Sequence, residues 1–177
     1  MFTNISNDTK KTYQITKSGD YIFYFENKIG EVVFDILHPN VNVKVYGLYQ
    51  TTNTDEFKLS IKQNHTAPNS TSTVFIKSVL KNKSILSITS TISISKEATK
   101  TNAHFINHNL LLDKKAHTII SPQLEVIPSN VECTHATITA PLNQEQLDYL
   151  IMRGISKHKA NELLLNGFIN DIQQHSI

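Results

Sequence analysis

The residues best equipped for chemistry lie in the run Val131-Glu132-Cys133-Thr134-His135-Ala136-Thr137. In an extended chain alternate residues share a face, so Cys133, His135 and Thr137 point the same way. A thiolate and an imidazole on one face are donors that iron or another soft metal accepts. The same pair also fits a core cysteine beside a surface histidine, because Cys-x-His without a second pair falls short of a four-donor site. His104 and His108 share a face too. In the alternating segment around them they would stand about 13 Å apart, too far for one ion. His38, His65 and His117 fall near corners of the chain with no evident partner.

Other chemistries are not encoded in recognisable form. There is no G-x-S-x-G elbow and no identifiable Cys-His nucleophile motif. The five glycines form no phosphate-binding loop, and Asp55-Glu56 reads as an exposed turn. The net charge of +2, with both signs spread along 177 residues, argues against nucleic acid or anionic membrane as a partner. Apolar runs such as Tyr21–Phe25 and Leu110–Leu112 are far shorter than the roughly 20 residues a membrane helix needs. The start, MFTNISNDTKK, shows no apolar secretory core. One cysteine cannot form an internal disulfide, so a reducing, cytoplasmic setting is expected.

The elements that must position Cys133 and His135 are strands. From Thr12 to about Thr139 the pattern is extended: Tyr21–Phe25, Glu31–Leu37, the strictly alternating Val41–Tyr46, Phe57–Lys62 and Ser84–Ile94. Polar corners recur every 10 to 20 residues. Two corners are alike and 32 residues apart, Val79–Ile85 and Leu111–His117, with a similar one at Ile94–Ala98 between them. A coil of two strands repeating along a solenoid explains that spacing, and a β-sandwich with short strands also fits.

The pattern changes at Pro141, dividing a β-rich part, 1–140, from a helical segment, 141–177. Asn143 is a good N-cap, with Gln146 three residues on. Leu147, Leu150 and Ile151 then share a helical face, and Gly154 sits where a left-handed C-cap is expected. A second helix starts at Ser156 with Ala160, Leu163 and Leu164 on one side, and Gly167 reads as its stop. Helices of about 10 residues are not stable alone in water, so this pair must lean on the strands or on another protein.

The stretch from about Gln63 to Asp171 resembles the SufB/SufD family, the scaffold proteins of the SUF iron–sulfur cluster assembly system. The resemblance rests on an ordered series: His65–Ser72; Leu110-Leu111-Leu112-Asp113 followed by Ala116; Ser121-Pro122-Gln123-Leu124-Glu125-Val126; Val131–Thr137; Gln146–Leu150; Arg153-Gly154-Ile155; Ala160; and Asn166-Gly167-Phe168. It implies a mainly β fold, a right-handed parallel β-helix (β-solenoid) followed by a small C-terminal two-helix segment. It further implies a non-enzymatic scaffold that pairs with a SufB-like chain through the β-helix. A SufC-like ABC ATPase would dock on the helices through Leu147, Tyr149, Leu150, Arg153, Gly154, Ile155, Ala160, Leu164 and Phe168.

The resemblance places the shared SufD histidine at His135, with Cys133 as a weaker cluster-site candidate. An iron–sulfur cluster would then be held only transiently, at the interface with the SufB-like partner, and no cofactor would be bound by the chain alone. Ala116 stands where SufB carries its sulfur-accepting cysteine and Ala136 where SufB has glutamate, so the chain is SufD-like. SufD itself has glycine at that second place, so Ala136 departs from both. Asp148 replaces a usual aromatic, and the chain is too short for the family's N-terminal helical domain and several of its coils. The competing expectation is a stand-alone homodimeric metal or iron–sulfur carrier that needs no ATPase.

Overall fold

A computed structural model describes residues 1–175. Eleven strands precede two helices: β1 (Phe2–Asn4), β2 (Thr12–Ile15), β3 (Gly19–Glu26), β4 (Gly30–Ile36), β5 (Val41–Gln50), β6 (Glu56–His65), β7 (Thr71–Leu80), β8 (Ile85–Ile94), β9 (Asn102–Leu111), β10 (His117–Val126), β11 (Glu132–Pro141), α1 (Gln144–Met152) and α2 (Lys157–Gln173). Odd strands form one sheet in the order β1-β3-β5-β7-β9-β11, and even strands form a second, β10-β8-β6-β4-β2. Every pairing is parallel. The chain therefore alternates between two facing sheets and advances one strand with each circuit. That is the β-solenoid, and the sandwich alternative is excluded. The two matching corners at 79–85 and 111–117 are successive β7–β8 and β9–β10 turns, lying one above the other.

The corners repeat because the backbone stacks on itself. Asn40 N–H donates to Asn69 O at 3.1 Å, Asn69 N–H to Thr99 O at 2.9 Å, and Lys100 N–H to Asn130 O at 3.1 Å. Asn40, Asn69 and Lys100 all have φ between 53° and 56°, a left-handed turn that asparagine tolerates better than most residues. The alternation breaks at Gly47-Leu48-Tyr49 and at Ser78-Val79-Leu80, where residues on both faces are buried. Tyr49 and Leu80 point into the core, while Leu48 and Val79 lie in an outer patch covered by α2. This is why β5 continues to Gln50, beyond the Val41–Tyr46 expected from alternation alone.

The helices cap largely as their sequence requires. Asn143 Oδ1 accepts the Gln146 N–H at 3.0 Å. Gly154 has φ 85°, and Gly154 N–H and Ile155 N–H donate to Ile151 O and Leu150 O, a Schellman closure. Gly167, in contrast, does not stop the second helix, which runs on to Gln173. Local glycine preference is overridden because the extra turns bury Ile169 and Ile172 against Tyr24, Leu48, Val79 and Leu110 on the outer face of the odd sheet.

One ion pair locks this contact. Lys77, on the outer face of β7, donates from Nζ to both Asp171 oxygens at 2.7 Å and to Phe168 O at 2.6 Å. Its ammonium lies 4.7 Å from the Phe168 ring centroid and 5.5 Å from that of Phe75. The Lys77 side chain is 9% exposed and that of Asp171 54%. Removing Asp171 strands the buried cation, whereas replacing Lys77 by an apolar chain removes the charge that needs compensation. Asp171→Ala is therefore expected to cost about 1–3 kcal/mol and Lys77→Met less than half of that. Chemical denaturation, with hydrogen exchange read in α2, checks both; equal losses would remove the buried cation from the account.

The core changes character along its axis. The early coils are aromatic: Tyr13, Phe23 and Phe34 contact one another with centroids 4.8–5.5 Å apart. Further along, polar side chains point inward, among them Gln63, His65, Ser72, Ser78, Ser90, Asn107 and Asn109, all at most 2% exposed. His65 contacts Ser70 Oγ through Nδ1 and Ser72 Oγ through Nε2, both at 2.7 Å. Ser72 gives its own hydrogen to Gln63 Oε1, so the ring donates at Nε2, while Ser70 Oγ, beside Nδ1, also donates toward Ala67 O at 3.2 Å. Burial pushes His65 down to about 4 from an ordinary 6.5. The unfolded chain then binds the extra proton between those values, so stability falls as pH drops from about 6.5 to about 4. The expected loss is roughly 3 kcal/mol across that window. Denaturation midpoints from pH 7 to pH 4 in the protein and in His65→Gln check this; an identical acid slope in the two would exclude His65 as its source.

Candidate functional site

The last coil has no successor. β10 pairs only with β8, and β11 only with β9, so each leaves one ten-residue backbone edge without a strand beside it among the described residues. The inward row of β10 lies over the buried row of β8: Thr118 over Leu86, Ile120 over Ile88, Pro122 over Ser90, Leu124 over Ile92, Val126 over Ile94. The β8 members are buried, but Leu124 is 52% and Val126 39% exposed. Ile127, just beyond, is exposed as well. Sequence alternation made these residues for an interior, and the fold leaves that interior open at one end.

Cys133, His135, Thr137 and Thr139 are the matching inward row of β11, over Ala103, Phe105, Asn107 and Asn109. The expected common face of Cys133 and His135 is therefore the inner wall of the open end. The His135 ring packs on Phe105 at 5.0 Å and 36°. Both of its nitrogens are shielded yet make no hydrogen bond. Burial lowers its pKa, so at neutral pH the imidazole is uncharged and keeps a lone pair available for a ligand. The half-buried Cys133 thiol is pushed up, first by burial and then by the Glu132 charge, so it is held as a thiol. It becomes a metal ligand only on losing that proton. No group of three His, Cys, Asp or Glu residues capable of holding a metal occurs among the described residues. Two donors from one chain leave a four-coordinate iron half-filled.

Outside this end, His104 and His108 lie on the outer face of β9. His104 Nδ1 contacts Thr134 Oγ1 at 2.8 Å, and the His108 ring meets Phe75 edge-on at 5.3 Å. Ala116 is buried where the last coil begins, and Ala136 is exposed on the outer face of β11. His65, without a recognisable partner in the sequence, is the buried hub described above. Its place in the inward series Leu59, Ile61, Gln63, His65 was the signal that could have found it.

The helix pair divides the docking candidates into two sets. Leu147 and Ala160 are buried, so they form the internal seam of the pair and not a surface for another protein. Phe168 is half-buried in the Lys77 contact. Tyr149, Arg153 and Gly154 are exposed, and Leu150, Ile155 and Leu164 partly so. Tyr149 carries the Arg153 guanidinium 5.2 Å from its ring. With Glu145, Gln146, Leu150 and Leu164 it lines a shallow groove of about 400 Å³. Ile151, Met152 and Leu163, absent from the docking set expected from sequence, are also exposed, Met152 by 79%. Asp148 accepts a hydrogen bond from Gln144 at 2.7 Å on the exposed side, so the replacement of an aromatic there disturbs no packing within the pair. No described helix is long and apolar enough to cross a membrane.

Comparison with known proteins converges on the same system. A family model described as SUF system FeS cluster assembly, SufBD core domain, matches residues 23–168. The chain is 29% identical over 98 residues to iron-sulfur cluster assembly protein SufD of Escherichia coli, covering 55% of this chain and 23% of that protein. It is 30% identical over 108 residues to SufB of Bacillus subtilis, covering 61% and 23%. Against SufD of Plasmodium falciparum the match is 26% over 200 residues, covering 98% of this chain and 14% of the relative. The chain thus spans less than a quarter of the length of these relatives. A matched core domain of 146 residues, on a parallel solenoid that ends in a helix pair, leaves one assignment: the chain belongs to the SufBD core family of the SUF iron–sulfur cluster assembly system.

Proposed function

We propose that the chain is a SufD-like, non-enzymatic scaffold subunit of a SUF-type assembly complex, with the iron–sulfur cluster as its cargo. Its open coil would join a SufB-like chain, and the exposed side of its helix pair would dock a SufC-type ABC ATPase. The observation that carries this reading is the uncovered end: inward-facing Leu124 and Val126 are exposed beside an unpartnered, neutral imidazole at His135. A partner's strands along β10 and β11 would cover the apolar row and bring the ligands that Cys133 and His135 lack. A second copy of this chain could offer the same edges and a second Cys133–His135 pair, four donors in all, which is the carrier alternative.

The ATPase contact is tested by co-expression with a SufC-type protein. Truncation after Pro141 is expected to abolish co-purification. A Tyr149→Asp/Met152→Asp double variant, altering only exposed residues, is expected to weaken it by ten-fold or more, about 1.4 kcal/mol or above, with an unchanged circular dichroism spectrum. Unaltered binding by the double variant would remove this face from the interface.

The cargo site is tested by anaerobic reconstitution with iron and sulfide, with and without a SufB-like chain. The complex is expected to retain iron that this chain alone does not. His135→Ala is expected to lower retained iron on the order of ten-fold while leaving the complex intact. Full cluster content in His135→Ala would reduce His135 to a packing residue, and equal iron binding by the isolated chain would favour the carrier.

A further inference from the structure

The Lys77–Asp171 pair sets one ammonium against one carboxylate, and the ammonium also reaches Phe168 O. A third ionisable group stands beside it. The register pairs Lys77 of β7 with His108 of β9 on the outer face of the odd sheet, so their Cα atoms are about 5 Å apart. The Phe75 ring touches both, meeting His108 edge-on at 5.3 Å and lying with its centroid 5.5 Å from Lys77 Nζ. Phe168, whose ring lies 4.7 Å from the same Nζ, shares with His108 the wall of a cavity of about 220 Å³ that Leu110, Ile138, Leu142 and Leu164 also line. His108 therefore sits in the seam where α2 meets the sheet, between the ion pair and an apolar space.

The surroundings act on the charge of this ring. Burial is the largest influence and opposes the charged form, the Lys77 ammonium adds to it, and Asp171 works against both; the pKa lies below the ordinary 6.5. Lys77 comes from β7 and Asp171 from α2. Beside them β11 and α1 bring uncharged groups, Ile138, Ala140 and Gln146. On β9 itself His104 is four residues away and contacts Thr134, and at the end of α2 His175 stacks on Tyr46 at 3.9 Å.

We propose that α2 is fastened to the odd sheet by an acid-sensitive seam: the helix stays seated while His108 is neutral, and a proton on His108 sets two cations against the single Asp171 carboxylate and loosens it. Lifting α2 returns the ring to water, where it takes up a proton more readily than in the seam. The fastening is thus complete above about pH 6.5 and weakens as the pH falls below it. The effect is confined to one helix, unlike that of His65, which lies inside the solenoid. It concerns this chain alone and does not depend on what docks on the helices.

The test is amide hydrogen exchange on the full-length chain at pH 7.5 and pH 5.5, expressed as protection relative to unstructured peptide so that the intrinsic pH dependence cancels. Protection in α2 is expected to fall several-fold, with about ten-fold the most that one imidazole of ordinary pKa supplies one unit below it. Amides of β7 and β9 are expected to change less. His108→Gln is expected to abolish the fall in α2, and His65→Gln to leave it. Lys77→Met, in which a protonated His108 balances Asp171, is expected to shrink the fall and keeps the test open if His108→Gln folds poorly. Protection in α2 that holds at pH 5.5 in the unmodified protein, or that falls equally in His108→Gln or in Lys77→Met, would overturn the proposal.

Discussion

A parallel strand satisfies its backbone only through neighbours on both sides, and a stack built by adding one coil upon another must finish somewhere. That constraint governs the molecule. Within the stack each coil covers the previous one, its corners bonded backbone to backbone and its inward rows in register. At the last coil the same residues become an exposed apolar row, two bare edges and an imidazole with no hydrogen-bonding group facing it. Solenoids usually hide such an end under a cap. Here the helix pair that could have served goes elsewhere: α2 lies on the outer face of the odd sheet, held by Ile169, Ile172 and the Lys77–Asp171 pair.

The two exposed regions are consequently separate in kind. The coil end combines backbone edges, aliphatic side chains and donor atoms, which suits a sister solenoid able to continue the ladders. The helix pair offers side chains alone, with Tyr149 and Met152 around a shallow groove and no free backbone beyond its caps. On the scaffold reading proposed above, the two surfaces would serve two different partners.

Much of the fold was legible because period-two alternation and polar corners are local properties. The boundaries of β4, β5, β6 and β8 emerged within a few residues while β7 was not delimited, and Asn143 and Gly154 were read correctly as caps and Ser156 as a helix start. Parallel pairing was not local. The same alternation suits sandwich and solenoid, and the decision came from the likeness between corners and from the family resemblance. Gly167 misled because its helix-ending tendency is small beside the burial of Ile169 and Ile172 on a sheet that the local sequence does not display. His135 and Cys133 could be placed on one face from spacing alone. Whether that face was inner wall or outer surface depended on Phe105, thirty residues earlier, lying directly beneath. Exposure on the helices was only partly legible, since helical spacing groups Leu147 and Ala160 with surface residues although the pair uses them to hold itself together.

Only Leu142 and Asn143 separate the end of β11 from the first turn of α1. Two residues can span about 7 Å when fully extended, so they leave almost no slack. The groove on the helices and the inner wall bearing His135 are joined by this short tether and, through α2, clamped at a second point on β7. A load applied to α1 therefore cannot be absorbed by an intervening loop; it is delivered to the terminal strand, or it breaks the clamp first.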